Sequence, residues 1–282
     1  MSSHKLLTPV LRDSLLVTLL CSFSLASCQS VQAQNRRIDT EFQSSLDWRS
    51  LEPGISYSYM GNQFSSNLHF IKVDLENPAV TLSLSSESSK GESPVTHAYD
   101  YNAVVSINAS FFDGSYNPRG ITVSQGSKWS KMLYPESSPF LGCDVELQCN
   151  INHKGADFVD EQLWTAVGGL HSLIVNGEMR SKEDDQTCGS FCLNQHPRTA
   201  VGLSQSKRYL ILALAEGRKQ NLKGLTLQQM SIMMHYAGSF EAFNLDGGGS
   251  SSLVVNQKLT SQRPDKEPSP RRVSNSLLIN SN

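Results

Sequence analysis

The run from Phe243 to Ser252 constrains the fold more than any other part of this chain. It reads F-N-L-D-G-G-G-S-S-S, so an apolar strand ends on Asp246 and three glycines follow at once. Each glycine loses more backbone entropy on folding than another residue would, so such a run indicates a sharp bend or a ligand that touches the backbone. The sequence therefore predicts that a strand delivers the Asp246 carboxylate and bare amides to one site. A flexible turn is the alternative.

Strand patterns surround this run. Alternating or continuous apolar segments predict strands at 55–59, 68–75, 80–84, 103–107, 199–203, 208–215, 241–246, 253–255 and 273–279. The clearest helix begins at Thr226, which forms a capping box with Gln229, and ends at Gly238. Asn176-Gly177 predicts a tight hairpin. We therefore predict an α/β (mixed α+β) fold, with a central mixed β-sheet and packed helices in a single domain over residues 46–282.

The N-terminus predicts export. Lys5 and Arg12 precede an apolar run at 15–23 that is too short to span a membrane. We assign residues 1–28 to a signal peptide and the Gln/Ser-rich residues 29–45 to a linker.

Two cleavage sites compete within this segment. Residues 25–28, L-A-S-C, resemble a bacterial lipobox, which predicts lipidation of Cys28. Residues 31–33, V-Q-A, resemble an ordinary signal-peptidase site. The expected product is a periplasmic or cell-envelope lipoprotein held to the membrane only by its lipid. A freely secreted protein is the alternative.

Four cysteines remain after export, an even number in an oxidising compartment, and they predict disulfides. Three pairings are open. We expect the local ones, Cys143 with Cys149 and Cys188 with Cys192, because each pins a segment without clear periodicity, at 130–160 and 188–197. A zinc site is the alternative, but the spacings lack the usual C-x-x-C.

Polar residues at strand ends are the candidates for chemistry. Asn108 ends a buried strand and suits a sugar hydroxyl or a phosphate oxygen. Arg198 opens another strand, and its planar guanidinium suits two-point binding of phosphate, with a surface salt bridge as the alternative. Glu216 closes the strand that follows. Arg271 and Arg272 precede the last strand, and one of them is expected to face the same anion.

Several function classes lose support. The formal net charge is -2 and the basic residues are scattered, so no nucleic-acid surface is expected. The histidines lack metal-ligand spacing, and the G-x-S-x-G of serine esterases is absent.

Ordered blocks along the chain resemble the phosphodiester glycosidase family, over roughly residues 65–280. The blocks are I-N-A-S-F-F at 107–112, R-T-A-V-G at 198–202, N-L-D-G-G-G-S at 244–250 and R-V-S-N-S-L at 272–277. Two positions depart from the family pattern. Glu216-Gly217-Arg218 stands where the family commonly has D-G-R, and Ser110 stands where it often has glycine.

The resemblance implies a hydrolase that cleaves the glycosidic bond of a sugar-1-phosphodiester, with a GlcNAc-α-1-phosphodiester or a phosphorylated envelope glycan as substrate. Asp246 is the candidate carboxylate that stabilises an oxocarbenium-like state, and Glu216 is its candidate acid/base partner. The substrate-binding candidates are Asn108, Arg198, Asn244, Gly247, Gly248, Gly249, Ser250 and Arg272. No cofactor and no metal ligand is expected.

Two other functions stay open. One is a binding module for phosphorylated envelope glycans that performs no chemistry. The other is a metal-dependent phosphodiesterase, for which Asp246, Glu216 and Asp113 supply oxygen ligands to a divalent metal.

Overall fold

Antiparallel β-sheets account for most of the chain that a computed structural model describes, residues 46–129, 138–153 and 162–282. Residues 46–282 form one contact unit. The predicted signal peptide 1–28, the linker 29–45 and Cys28 lie outside the described residues. Within the described ranges, no helix has the length and apolar character needed to cross a membrane.

The largest sheet has eight strands, in the order β1-β2-β3-β16-β15-β17-β13-β14. Its strands are β1 Arg49–Glu52, β2 Ile55–Gln63, β3 Ser66–Asp74, β13 Ser172–Val175, β14 Glu178–Met179, β15 Arg198–Leu203, β16 Tyr209–Ala215 and β17 Glu241–Leu245. The β13–β14 hairpin turns at Asn176-Gly177, where both residues have positive φ (52° and 80°). This is the turn that the Asn-Gly pair predicts.

Two five-stranded sheets and one two-stranded ribbon complete the β structure. The first sheet, in the order β19-β18-β5-β20-β4, contains β4 Val80–Leu84, β5 Val105–Asn108, β18 Leu253–Val255, β19 Lys258–Leu259 and β20 Ser276–Ser281. The second, in the order β11-β10-β12-β8-β9, contains β8 Thr122–Ser124, β9 Ser127–Lys128, β10 Phe140–Cys143, β11 Cys149–Asn152 and β12 Thr165–Gly168. The ribbon pairs β6 Phe111–Phe112 with β7 Pro118–Arg119.

The core joins the sheets. One cluster of buried apolar side chains contains Leu212 and Phe243 from the eight-stranded sheet together with Ile107, Leu277 and Leu141 from the two smaller ones. Burying a side chain of this size contributes about 1.5–3 kcal/mol. This packing fixes the ends of β5 and β17 relative to each other.

The helices of the described residues are short. They are α1 Pro94–Asp100, α2 Lys182–Thr187, α3 Ser190–Leu193 and α4 Leu227–Tyr236, with single 3-10 turns at Glu87–Ser89 and Gly248–Ser250. The predicted capping box at the start of α4 is present: the Thr226 side chain accepts from Gln229 N, and the Gln229 side chain accepts from Thr226 N. Helix α4 contacts β13, β15, β16 and β17.

The predicted fold class is correct only in part. The described chain is 41% strand and 15% helix, and all of its strand pairs are antiparallel, so the sheet is not mixed. Parallel neighbours need long crossover connections, usually helical, whereas antiparallel strands are joined by short turns. The short helices here leave few such crossovers.

Two segments predicted to be irregular contain regular structure. Strands β10 and β11 lie within 130–160 and form an antiparallel pair, and helix α3 lies within 188–197. Their apolar residues are too few to show a period, and the disulfides described below stabilise both segments. The last strand also begins later than predicted, at Ser276, where it pairs with β4 and β5.

Candidate active site

The ends of β5 and β17 meet at Asp246, which directly follows β17. The Asp246 amide donates to the Ala109 carbonyl at 2.9 Å. Asn108 is fully buried and ties three elements together: its side-chain amide donates to the Asp246 carbonyl, and its Oδ1 accepts from Thr199 Oγ1 at 3.0 Å and from Ser252 N at 3.1 Å. Asn108 therefore holds Asp246 in place, and it is not among the residues that line the cavity.

The three glycines after Asp246 are required by close contacts. Gly248 has a φ of 61°, in the region that favours glycine. A Cβ on Gly247 would lie 2.7 Å from the Pro197 carbonyl oxygen, and a Cβ on Gly249 would overlap Arg271 and Glu267. Backbone atoms of Pro197 and the side chains of Arg218, Arg271 and Glu267 thus enclose this turn, so it is not a simple flexible turn.

A cavity of about 190 Å³ opens beside the turn. This volume is below the roughly 300 Å³ of pockets for drug-sized ligands, so the cavity suits one sugar or phosphate group. It is lined by Phe111, Phe191, His196, Arg198, Arg218, Asp246, Gly247, Gly248, Gly249 and Arg271. A larger cleft runs along Tyr101–Val104 and Asn280–Asn282, but its described lining has side-chain amides and one carboxylate, with no cation to hold a phosphate.

Among the described residues, Asp246 is the only carboxylate in the cavity lining. Burial raises its pKa to about 6, against the lowering effect of hydrogen bonds from the Ser250 side chain and the Gly247 amide and of the nearby Arg271 and Arg218 charges. The Gly247 amide donates to Asp246 Oδ1 at 2.9 Å. The carboxylate is therefore mostly ionised at neutral pH.

Arg198 is buried, yet it borders the cavity. Its Nε donates to the Leu225 carbonyl at 3.1 Å, and its Nη2 donates to the carbonyls of Phe191 and Asn194. Three of its five N–H groups are therefore used on backbone, and Nη1 is the group left to serve a ligand. Burial lowers its pKa to about 10, so the guanidinium stays charged at neutral pH.

Glu216 lies outside the cavity lining. Its side chain is buried: Oε1 accepts from Gln262 N at 2.7 Å and lies 2.8 Å from His69 Nε2, and Oε2 accepts from Asn67 Nδ2 at 2.8 Å. Burial would raise its pKa, but the hydrogen bonds from His69, Gln262 and Asn67 outweigh that effect and hold the pKa below its usual value. The structure thus does not bring Glu216 and Asp246 together as a carboxylate pair.

The other binding candidates are distributed differently from the expectation. Gly247, Gly248 and Gly249 line the cavity, whereas Ser250 is buried and its side chain forms a hydrogen bond with Asp246. Asn244 is also buried, and its side-chain amide has no hydrogen-bond partner among the described residues.

Arg272 is 65% exposed and lies 3.8 Å from Glu92, so Arg271 takes the place at the cavity instead.

Sequence reasoning missed several lining residues. Arg218 belongs to the E-G-R segment, of which only the acid was expected to act, and His196 directly precedes Pro197 and Arg198. His196 has a pKa lowered by burial and by the Arg198 and Arg218 charges, and its Nδ1 lies 3.5 Å from Arg218 Nη2. The aromatic pair, Phe111 and Phe191, has ring centroids 6.1 Å apart. No spacing pattern marks such contacts between distant segments.

Both cysteine pairs are local disulfides. Cys143 and Cys149 lie opposite each other in the β10–β11 pair, with Cα atoms 4.1 Å apart. Cys188 and Cys192 form the second disulfide, and Phe191 lies between them in sequence. The centroid of the Phe191 ring lies 4.8 Å from the Arg198 guanidinium carbon. The second disulfide therefore stabilises the segment that forms one wall of the cavity.

The oxygen ligands proposed for a metal do not converge among the described residues. Asp113 is held by its own turn, accepting from Ser115 N and Asn117 N, and Glu216 is engaged as described above. The one described group of three with suitable spacing is His171, Cys188 and Cys192, and its sulfurs form a disulfide.

Known proteins match this chain in sequence. A family model described as phosphodiester glycosidase covers residues 101–280. The SPbeta prophage-derived uncharacterized protein YomE of Bacillus subtilis (strain 168) is 25% identical over 178 residues, 59% of this chain and 26% of that protein. Mouse N-acetylglucosamine-1-phosphodiester α-N-acetylglucosaminidase is 37% identical over 109 residues, 35% of this chain and 21% of the enzyme. The chain thus spans about a quarter of the length of these curated relatives.

A solved structure matches the fold. It is the zebrafish N-acetylglucosamine-1-phosphodiester α-N-acetylglucosaminidase catalytic domain, described as auto-inhibited by its pro-peptide. The TM-score is 0.66 at 21% identity, with 83% of this chain and 86% of that chain covered.

Proposed function

The chain belongs to the phosphodiester glycosidase family, and we propose on that basis that it hydrolyses the glycosidic bond between a sugar and the phosphate of a sugar-1-phosphodiester. The observation that carries the proposal is the cavity lining, which holds the Asp246 carboxylate together with the guanidinium groups of Arg198, Arg218 and Arg271. A phosphodiester and a developing sugar cation need opposite charges within one small site, and this lining supplies both.

Asp246 acts on the sugar. As the C1–O bond to phosphate breaks, positive charge develops on the sugar ring, and an ionised carboxylate stabilises it or attacks C1. With a pKa of about 6, Asp246 is ionised at neutral pH, and because it is only partly exposed its charge is screened less than in bulk water.

The arginines act on the phosphate. The electron pair of the breaking bond goes to the phosphate oxygen, and the guanidinium groups of Arg218 and Arg271, with the bare amides of the glycine turn, oppose the growing negative charge. Phosphate is a good leaving group and needs little protonation. The neutral His196 is the group in the lining that can take the proton from the attacking water.

The proposed setting is the bacterial cell envelope. The N-terminal export pattern, with Cys28 as lipidation site, and two disulfides support a protein that works in an oxidising compartment. The proposed substrate is a GlcNAc-α-1-phosphodiester or a phosphorylated glycan with this linkage.

Product analysis by NMR tests the function. The purified protein is incubated with a GlcNAc-α-1-phosphodiester, with and without chelator, beside the Asp246→Asn variant. Free sugar and a phosphomonoester from the wild type alone, unchanged by chelator, are expected. Release of the sugar 1-phosphate with the free alcohol, sensitive to chelator, would instead indicate a metal-dependent phosphodiesterase.

A further inference from the structure

Glu216 stands where two cavity-lining segments meet. The chain runs from Glu216 through Gly217 to Arg218. The Glu216 carboxylate accepts a hydrogen bond from the backbone amide of Gln262, the first residue of the segment that leads to Arg271. Arg218 and Arg271 are the two cations that act on the Asp246 carboxyl. One buried side chain thus connects both.

Further contacts bind these segments to each other. The Asp265 amide donates to the Arg218 carbonyl at 3.2 Å, and the Lys219 ammonium lies 3.1 Å from Asp265 Oδ1. The Arg271 guanidinium pairs with Glu267 in the same segment. Arg218 itself has a φ of 56°, a strained value for a residue with a side chain. Such a conformation persists only where the surroundings hold it.

Two further buried side chains, His69 and Tyr57, hold the Glu216 carboxylate in place. His69 Nε2 lies 2.8 Å from Oε1, and the other ring nitrogen, Nδ1, lies 2.9 Å from the Tyr57 hydroxyl. All three side chains are buried. A proton on His69 Nε2 donates to Glu216, and the Tyr57 hydroxyl completes the contact at Nδ1. The contacts with Gln262, His69 and Asn67 hold the carboxylate outside the cavity lining.

We propose that Glu216 is a positioning residue: it fixes Arg218 and the segment 262–271, and so sets the two guanidinium groups that face Asp246. As a role in catalysis this rests on the proposed function. As a statement about the geometry and charge around Asp246 it can be tested without substrate.

The test is an NMR titration of the Asp246 carboxyl carbon in aspartate-labelled protein, assigned by Asp246→Asn. In Glu216→Gln the neutral amide accepts hydrogen bonds more weakly than the carboxylate does. Arg218 and Arg271 then move away from Asp246, and the titration of Asp246 shifts to higher pH by about half a unit or more. The Gln262 amide exchanges with solvent roughly tenfold faster or more. Glu216→Asp keeps the charge and restores part of both values.

Glu241→Gln is the matched control. Glu241 also bonds a histidine, His153, at 2.6 Å, but lies outside the cavity lining. The Glu241→Gln variant should leave the Asp246 titration unchanged. The proposal is overturned if Glu216→Gln leaves that titration and the Gln262 exchange as they are in Glu241→Gln. Loss of turnover with an unmoved titration would overturn it as well and assign Glu216 to the chemistry directly. A wild type inactive on sugar phosphodiesters would refute the proposed function and leave the titration result standing.

Discussion

Replacing Asp246 by Asn should make the protein inactive and more stable at neutral pH. Burial raises the pKa of Asp246 from 3.8 to about 6. A tenfold change in a proton-binding constant corresponds to about 1.4 kcal/mol, so the ionised carboxylate destabilises the fold by up to about 3 kcal/mol. Asparagine has nearly the same shape, can accept from the Gly247 amide, and carries no charge to bury.

The sign follows from proton linkage. Because the folded pKa lies above the unfolded value, the destabilisation is complete above about pH 6 and fades as the pH falls toward 3.8, where Asp246 is protonated in both states. The gain from Asp246→Asn should therefore be largest near pH 7 and close to zero below about pH 4.

Glu216→Gln should have the opposite sign. The hydrogen bonds from His69, Gln262 and Asn67 hold the pKa of Glu216 below its usual value despite burial. Its charge therefore stabilises the fold above the usual pKa, and that contribution is lost as the pH falls through the folded pKa. The variant should be less stable than wild type at pH 7.

Denaturant unfolding of wild type and both variants at pH 7 and pH 4 measures these differences. An Asp246→Asn variant that is less stable than wild type at pH 7, or that gains as much at pH 4, would refute the reasoning. A carboxylate kept at a cost in stability is what a functional site requires.

Three further predictions concern turnover and the cavity wall. Between pH 7 and pH 5, kcat/KM for sugar release should fall about tenfold, because the ionised fraction of an Asp246 with a pKa of about 6 drops from about nine-tenths to one-tenth; a flat profile would contradict this role. Gly249→Ala should lower kcat/KM by about 100-fold, since the new Cβ displaces Arg271; near-normal kinetics would show that Arg271 is dispensable. Replacing Cys188 and Cys192 by Ser should lower the free energy of unfolding by about 2 kcal/mol and raise KM; an unchanged KM would separate that segment from the site.

The sequence predicts local features well. The capping box at Thr226 and the Asn176-Gly177 turn depend on neighbouring residues and occur where expected, and the apolar strand at 253–255 is also found. The family blocks also contain Asp246 and its glycines, which line one cavity in the structure.

Side-chain roles could not be predicted in the same way. Glu216 and Asn108 lie at strand ends like Asp246, but long-range partners decide their environments: Gln262 and His69 enclose the first, and Thr199 and Ser252 enclose the second. The choice of Arg271 over Arg272 depends on the direction of one side chain. Neither burial nor direction follows from the order of residues alone.

Hydrolysis in ¹⁸O-labelled water tests the central claim most directly. If water attacks the sugar C1 and the C1–O bond breaks, the heavy oxygen appears in the hydroxyl of the released sugar and the phosphomonoester carries none. Mass spectrometry of both products from a GlcNAc-α-1-phosphodiester should give this result. Heavy oxygen in the phosphate product would mean that the phosphorus–oxygen bond is cut, and it would contradict the glycosidase account.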